Sequence, residues 1–210
     1  MYIPHVNAIE DEPQIRRMVA DLGSAQLITV GSDGFPLATL LPIRWDGDTV
    51  TAHMARANPH WRHIDDGTPT LLVVTGAQAY ISPSWYASKA EHGRVVPTWN
   101  YSVVHLTGRA QVHEDGEWLR RAVDDLVDRH EAHRPEPWSS ADAPERYIEG
   151  QLRAIVGVEI SIERVEAKAK LSQNRSAVDR EGVVRGLRQE GSPGATAVAE
   201  QMARHLPDTR

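Results

Sequence analysis

The chain has 210 residues, 40% hydrophobic and 25% charged, with no cysteine and a formal net charge of −6. These totals suit a soluble protein with one sizeable core and exclude disulfides, thiolate metal sites and thiol nucleophiles. No apolar run approaches the ~20 residues of a membrane helix, the first residues show no secretory pattern, so a cytoplasmic protein is expected, and the acidic balance opposes a broad nucleic-acid surface, which needs a basic face.

Taken in order, residues 7–23 read as a helix, with Asn7 as cap, Glu10 completing a capping box and Gly23 as stop. The period then changes. A short apolar run from Ala25, a turn at Ser32-Asp33-Gly34, a second strand, a turn at Asp46-Gly47-Asp48 and a third strand form a meander of hairpins. Asn58-Pro59 starts a short helix or turn. The runs "TLLVVTG" and "AQAYIS" read as two further strands, followed by a polar loop and a long strand from Thr98 to His113. Residues 118–134 carry the clearest helical period, ended by Pro135. A second helix is expected over 144–152, and a period-two strand from Val156. Beyond Ser176 the chain reads as two helical pieces broken at residues 191–194, the last weakly patterned and expected to attach loosely. About seven antiparallel strands with peripheral helices make an α+β, mainly β protein built on a small closed or nearly closed barrel. The expected organisation is a barrel domain over 1–190, with a helical insert at about 117–152, and a C-terminal helical tail over 191–210.

Catalytic motifs of the common kinds are missing. There is no Gly-x-Ser-x-Gly elbow, no Gly-rich strand-to-helix loop and no His-Glu-x-x-His. His130 and His133 flank Glu131 near a helix end, where histidines ordinarily sit as surface groups favoured by the dipole; no metal site is expected. Three other stretches exceed the needs of packing. In "RANPHW", Arg56 suits a phosphate or carboxylate, Asn58 and His60 offer hydrogen bonds, and Trp61 a flat face. In "SPSWYASKAEHGRVVPTWNY", Ser84-Trp85 and Thr98-Trp99-Asn100 place indoles beside polar groups, a composition suited to a ligand wall. On a strand Thr98 and Asn100 share one side and Trp99 and Tyr101 the other. In "KLSQNR", Lys170, Ser172, Gln173 and Asn174 gather a cation, a hydroxyl and two amides in a turn, which suits an anion or a heteroaromatic edge. For each stretch the plain alternative is a cap, a packed ring or a simple loop.

"MYIP", "ANPHW", "YISPSWY", "VPTWNY" with the following "VVHLTG", "IVGVEI" and "KLSQNR" occur here in the order found in PaiB-like proteins, and nearly the whole chain resembles that family of FMN-binding negative transcriptional regulators. The resemblance implies a split β-barrel related to flavin reductases and pyridoxamine-phosphate oxidases, a homodimer, and FMN at the subunit boundary. Carried over by motif, the cofactor would meet Arg56, Asn58, His60, Trp61, Ser84, Trp85, Thr98, Trp99, Asn100, Lys170, Ser172, Gln173 and Asn174, with Arg56 or Lys170 on its phosphate. Two positions depart from the family's pattern: Leu40 stands where many members have His, and His60 where many have Gln. Similar sequences also include heme enzymes that join two nitrogens. The alternative cofactor is therefore heme b, with His60 or His105 as axial ligand. A second alternative, a repressor that binds DNA directly, has no helix-turn-helix signature to carry it.

Overall fold

This computed structural model describes residues 1–204. In chain order the elements are Glu12–Leu22 (α1), Ser24–Val30 (β1), Pro36–Asp46 (β2), Thr49–Ala55 (β3), Thr68–Ile81 (β4), Ser88–His92 (α2), Thr98–His113 (β5), Gly116–Glu131 (α3), Glu145–Arg153 (α4), Ile155–Lys170 (β6), Ala177–Glu190 (α5) and Pro193–Ala203 (α6). The strands close a barrel in the order β1-β2-β3-β6-β5-β4. β1 and β2 pair antiparallel with Leu27 opposite Thr39, and β2 and β3 with Ile43 opposite Ala52. β3 continues onto β6, Val50 opposite Ile160, and β1 onto β4, Leu27 opposite Leu72.

Two expectations about element bounds change. The meander holds, but residues 68–81 are one strand rather than two, giving six strands among the described residues. Thr75-Gly76 reads as a boundary in the sequence; Gly76 lacks the positive φ of a turn glycine, and β4 runs through it. The first helix starts later than expected. Residues 5–7 form a 3-10 turn, Ala8 bridges Lys168, and Ile9 N donates to Ala167 O. A helix begun at residue 8 would set Pro13 in its interior, where the ring clashes with the preceding turn. Begun at Glu12 it sets Pro13 in the first turn, with the Asp11 carboxylate accepting from Gln14 N at 2.9 Å.

The chain divides into two units, each with its own packing. One comprises residues 16–74 and 105–165. Its interior holds Leu27, Val50, Leu72, Leu106, Val158 and Ile160, which point inward from alternating strand positions. α3 starts at Asp115, whose carboxylate accepts from Trp118 N at 2.8 Å. α3 meets α4 through Leu119, Ile148 and Leu152. Trp118 lies against Gly157 of β6, where a Cβ would stand 2.1 Å from the indole.

The other unit comprises residues 1–15, 75–104 and 166–204 of the described chain. Its core joins Ile81 and Tyr86 to Leu171, to Val183, Val184 and Leu187 of α5, and to Ala195, Val198, Ala199 and Met202 of α6. The loose attachment expected of the tail therefore does not hold for residues 193–203: α6 buries its apolar face in the same core as α5, capped by Ser192, whose hydroxyl accepts from Ala195 N.

Candidate functional site

The "RANPHW" stretch belongs to the first of these units. Asn58 caps the 3-10 turn 59–63, its Oδ1 accepting from His60 N at 3.0 Å, while its Nδ2 donates to Thr39 Oγ1 at 3.3 Å. His60 is only 4% exposed. Its Nδ1 lies 2.7 Å from Thr39 Oγ1 and its Nε2 2.9 Å from Thr29 Oγ1. Both ring nitrogens are thus engaged, and the imidazole ties β1 and β2 to the turn. Burial, and then the charge of His63, hold its pKa below the ordinary histidine value, so the ring is neutral at pH 7. The ring nitrogen that accepts from a threonine hydroxyl would have to give up that hydrogen bond before it could meet an iron. His105 lies half-buried on β5.

Arg56 is likewise engaged. Its Nε donates to Arg153 O at 3.0 Å, its Nη2 to Ile155 O at 3.2 Å, and its Nη1 pairs with Glu114. The Trp61 indole N–H donates to Arg56 O at 3.0 Å. Arg56 and Trp61 fasten the start of β6 and their own turn, so the phosphate role expected of Arg56 meets a guanidinium already committed to backbone and carboxylate.

The remaining expected residues all fall in the other unit. Trp85 is half-buried against α5: a Cβ on Gly186 would stand 2.3 Å from its indole, and one on Gly182 2.1 Å from its carbonyl oxygen. It packs against the core that α5 and α6 share. Ser84 is exposed, its hydroxyl accepting from Lys89 Nζ at 2.9 Å. Asn100 is fully buried; its Nδ2 donates to Ser172 Oγ at 3.0 Å and lies 3.4 Å from Met202 Sδ. Ser172 takes φ +62°, a left-handed turn conformation rare for a residue with a side chain. Gln173 closes that turn, accepting from Leu171 N at 2.7 Å and donating to Ala169 O. Asn174 is exposed. Asn100, Ser172 and Gln173 thus lock β5, the end of β6 and α6 together.

Lys170, Thr98 and Trp99 are placed differently. Lys170 Nζ donates to Thr98 Oγ1 and, at 3.0 Å, to Trp99 O, and it forms no ion pair among the described residues. The Trp99 indole is 47% exposed, with its N–H donating to Gln78 Oε1 at 3.0 Å, and Tyr80, two residues along β4 from Gln78, is 46% exposed. Lys170 thus meets the Thr98 hydroxyl and the Trp99 backbone, while the Trp99 and Tyr80 rings are each about half open to solvent.

Sequence reasoning missed several participants. Thr29 and Thr39, the partners of His60, lie on strands distant in sequence; the signal for Thr39 was its place beside Leu40 in a stretch that resembles the family. Asp179, buried at the start of α5, accepts from Ser88 N at 2.9 Å and Ser88 Oγ at 2.8 Å and anchors α2. Burial pushes its pKa up, but the Ser88 hydrogen bonds, the Arg175 charge and Ser176 outweigh that and hold it below the usual carboxylate value.

A family model described as "Putative FMN-binding domain" matches residues 1–164. The protease synthase and sporulation protein PAI 2 of Bacillus subtilis is 34% identical over 206 residues, covering 96% of both chains. The chain belongs to this PaiB-like family. An uncharacterized protein of Aspergillus fumigatus is 40% identical over 184 residues, 72% of this chain and 70% of its own. Solved structures agree on the fold. The FAD and heme binding protein of Mycobacterium smegmatis superposes with a TM-score of 0.58 at 18% identity, covering 78% of this chain and 73% of its own. A flavocytochrome of Azotobacter vinelandii gives 0.57 at 18%, covering 79% and 70%. The PaiB-like chain thus carries an FMN-binding domain on a split barrel. Among the described residues no helix is long and apolar enough to cross a membrane.

The donor set at Lys170 fits this cofactor. A phosphate wants a cation and hydroxyl donors, and a flavin ring wants a flat apolar face. Lys170, Thr98 and the half-exposed Trp99 have the chemistry for these roles, and among the described residues no carboxylate is paired to the cation.

Proposed function

We propose that this PaiB-like protein holds FMN at the boundary of a homodimer in the cytoplasm and serves a regulatory or redox role. Lys170 and Thr98 take the phosphate, and Trp99 offers its face to the ring. Bound there, FMN would supply reversible one- or two-electron chemistry, while the chain's own groups bind and orient it. The observation that carries this reading is the Lys170 ammonium, anchored by Thr98 Oγ1 and Trp99 O, the backbone oxygen of a residue whose indole is half exposed, and without an ion pair among the described residues. The same half-exposed aromatic surface supports the dimer, because a second subunit would cover it.

Direct DNA binding finds no support. α5 and α6 are joined by a short turn at Gly191-Ser192, but the exposed positions of α6 include Thr196 and Glu200 and no basic residue before Arg204. A regulatory role would then act through the cofactor or a protein partner. Equilibrium titration of the full chain with FMN tests the reading. A charge-assisted contact is worth about 1.5–3 kcal/mol, so Lys170→Ala weakens FMN by roughly tenfold or more, whereas Arg56→Ala leaves it within about twofold. Equal affinity of Lys170→Ala and parent overturns the assignment. Light scattering that returns 23.3 kDa at all working concentrations overturns the dimer.

A further inference from the structure

Lys168 is the least expected side chain of the molecule. It lies two residues before Lys170 on β6, is only 6% exposed, and makes no ion pair among the described residues. A buried ammonium without a counter-charge is costly, because its lost hydration is repaid only by strong partners. The partners present are neutral: the Tyr2 carbonyl oxygen at 3.2 Å and the Tyr101 hydroxyl at 2.9 Å, with the Tyr2 and Tyr101 rings 5.7 and 5.1 Å from the ammonium. Glu166, the carboxylate two residues earlier, is bound by the Met1 amine at 2.7 Å. An ammonium has three N–H donors, and Lys168 spends two.

Lys168 repeats the arrangement of Lys170. Each ammonium, at alternate positions of one strand, donates to a hydroxyl on β5, Lys168 to Tyr101 and Lys170 to Thr98. A hydroxyl that accepts from an ammonium keeps its own O–H to donate. Two cations at alternate positions of β6, about 6.6 Å apart, thus each hold a β5 hydroxyl, Thr98 at the start of that strand and Tyr101 three residues on. That set suits a dianion with three acceptor oxygens.

We infer that Lys168 and Tyr101 complete, with Lys170 and Thr98, a site for a phosphate monoester dianion, in which Lys168 supplies the second positive charge and Tyr101 an O–H donor. The inference rests on the proposed FMN reading for the identity of the ester, but the anion site stands on its own geometry.

The test uses the full-length chain with three probes: FMN, riboflavin, which is the same ring without the phosphate, and inorganic phosphate. Lys168→Met keeps the stem and removes the charge. Tyr101→Phe keeps the ring and removes only the hydroxyl, so it remains informative if Lys168→Met folds poorly. FMN is expected to bind the parent at least about 30-fold more tightly than riboflavin, with that ratio collapsing toward unity in Lys168→Met and falling about 3–10-fold in Tyr101→Phe. Inorganic phosphate is expected to raise the Tm of the parent and to do so less in both variants. If FMN binds and the ratio is the same in parent and both variants, the assignment of Lys168 and Tyr101 is overturned while the FMN reading stands. If neither flavin binds the parent but phosphate stabilises it through Lys168 and Tyr101, the anion site stands for another phosphate ester and the FMN reading falls. If phosphate and FMN both leave the parent unchanged, both fall.

Discussion

Replacing His60 by Ala is expected to unlock the first hairpin from the turn that follows β3. The imidazole makes two side-chain hydrogen bonds, to Thr29 and Thr39. Thr39 keeps a partner in Asn58, but the Thr29 hydroxyl, itself 2% exposed, is left without one. An orphaned buried hydroxyl costs about 1–3 kcal/mol, and the cavity left by the ring adds to it. A loss of roughly 2–4 kcal/mol follows, which for a chain of this size lowers Tm by about 4–16 °C. His60→Gln retains one donor and one acceptor and is expected to cost less than about 1 kcal/mol. Urea denaturation followed by tryptophan fluorescence measures both. The double variant Thr29→Val/His60→Ala should lose less than the sum of its single changes, because the two groups share one interaction. A His60→Ala protein within about 0.5 kcal/mol of the parent, or strict additivity with Thr29→Val, would refute the argument.

Acid should weaken the fold before carboxylates titrate. His53, by burial, and His60, by burial and then His63, both have depressed pKa values. Unfolded imidazoles near ~6.5 therefore take up protons first, so this stability is fully present above ~6.5 and is lost as pH falls through the folded values; urea midpoints between pH 8 and 5 should fall, and less so in His60→Gln. Gly186→Ala forces a methyl to within 2.3 Å of the Trp85 indole and should cost about 1–3 kcal/mol, with a shifted Trp fluorescence maximum; an unchanged midpoint would show that the helix can retreat. Asn100→Leu removes the partner of buried Ser172 and should cost about 1–3 kcal/mol, with hydrogen exchange rising in α6; protection equal to the parent would sink the idea that this amide holds the helix.

The barrel was legible because its evidence is local. Val156, Val158 and Ile160 alternate inward, as their period-two spacing says, and Gly34 and Gly47 take the positive φ that their turn sequences demand. The helical period placed α3 and α4 in the same way, though α3 starts two residues earlier than expected, at Gly116 behind its Asp115 cap, and ends at Glu131, short of Pro135. The site was less legible because its residues are assigned by partners far along the chain. Nothing near Trp85 says that it packs on Gly182 and Gly186. The polar character of Asn100 and Ser172 was evident, but the turn they lock depends on Met202. His60 attracted attention as a group free to bind, and the two threonines that occupy it sit 31 and 21 residues away. Lys170 drew attention through its motif. Lys168 was not, since only burial distinguishes it from an ordinary surface lysine.

The pairing of Trp85 with Gly186 also sets a timetable for synthesis. About a hundred residues separate the indole from the glycine that receives it, which at ~5–20 residues per second is some 5–20 s of translation. Throughout that interval Trp85, Ile81 and Tyr86 have none of their α5 and α6 partners, and they leave the ribosome as an apolar segment with nothing to cover it. A nascent chain stalled or cleaved before residue 187 would display that segment to chaperones and proteases, so its shielding waits on α5 and α6.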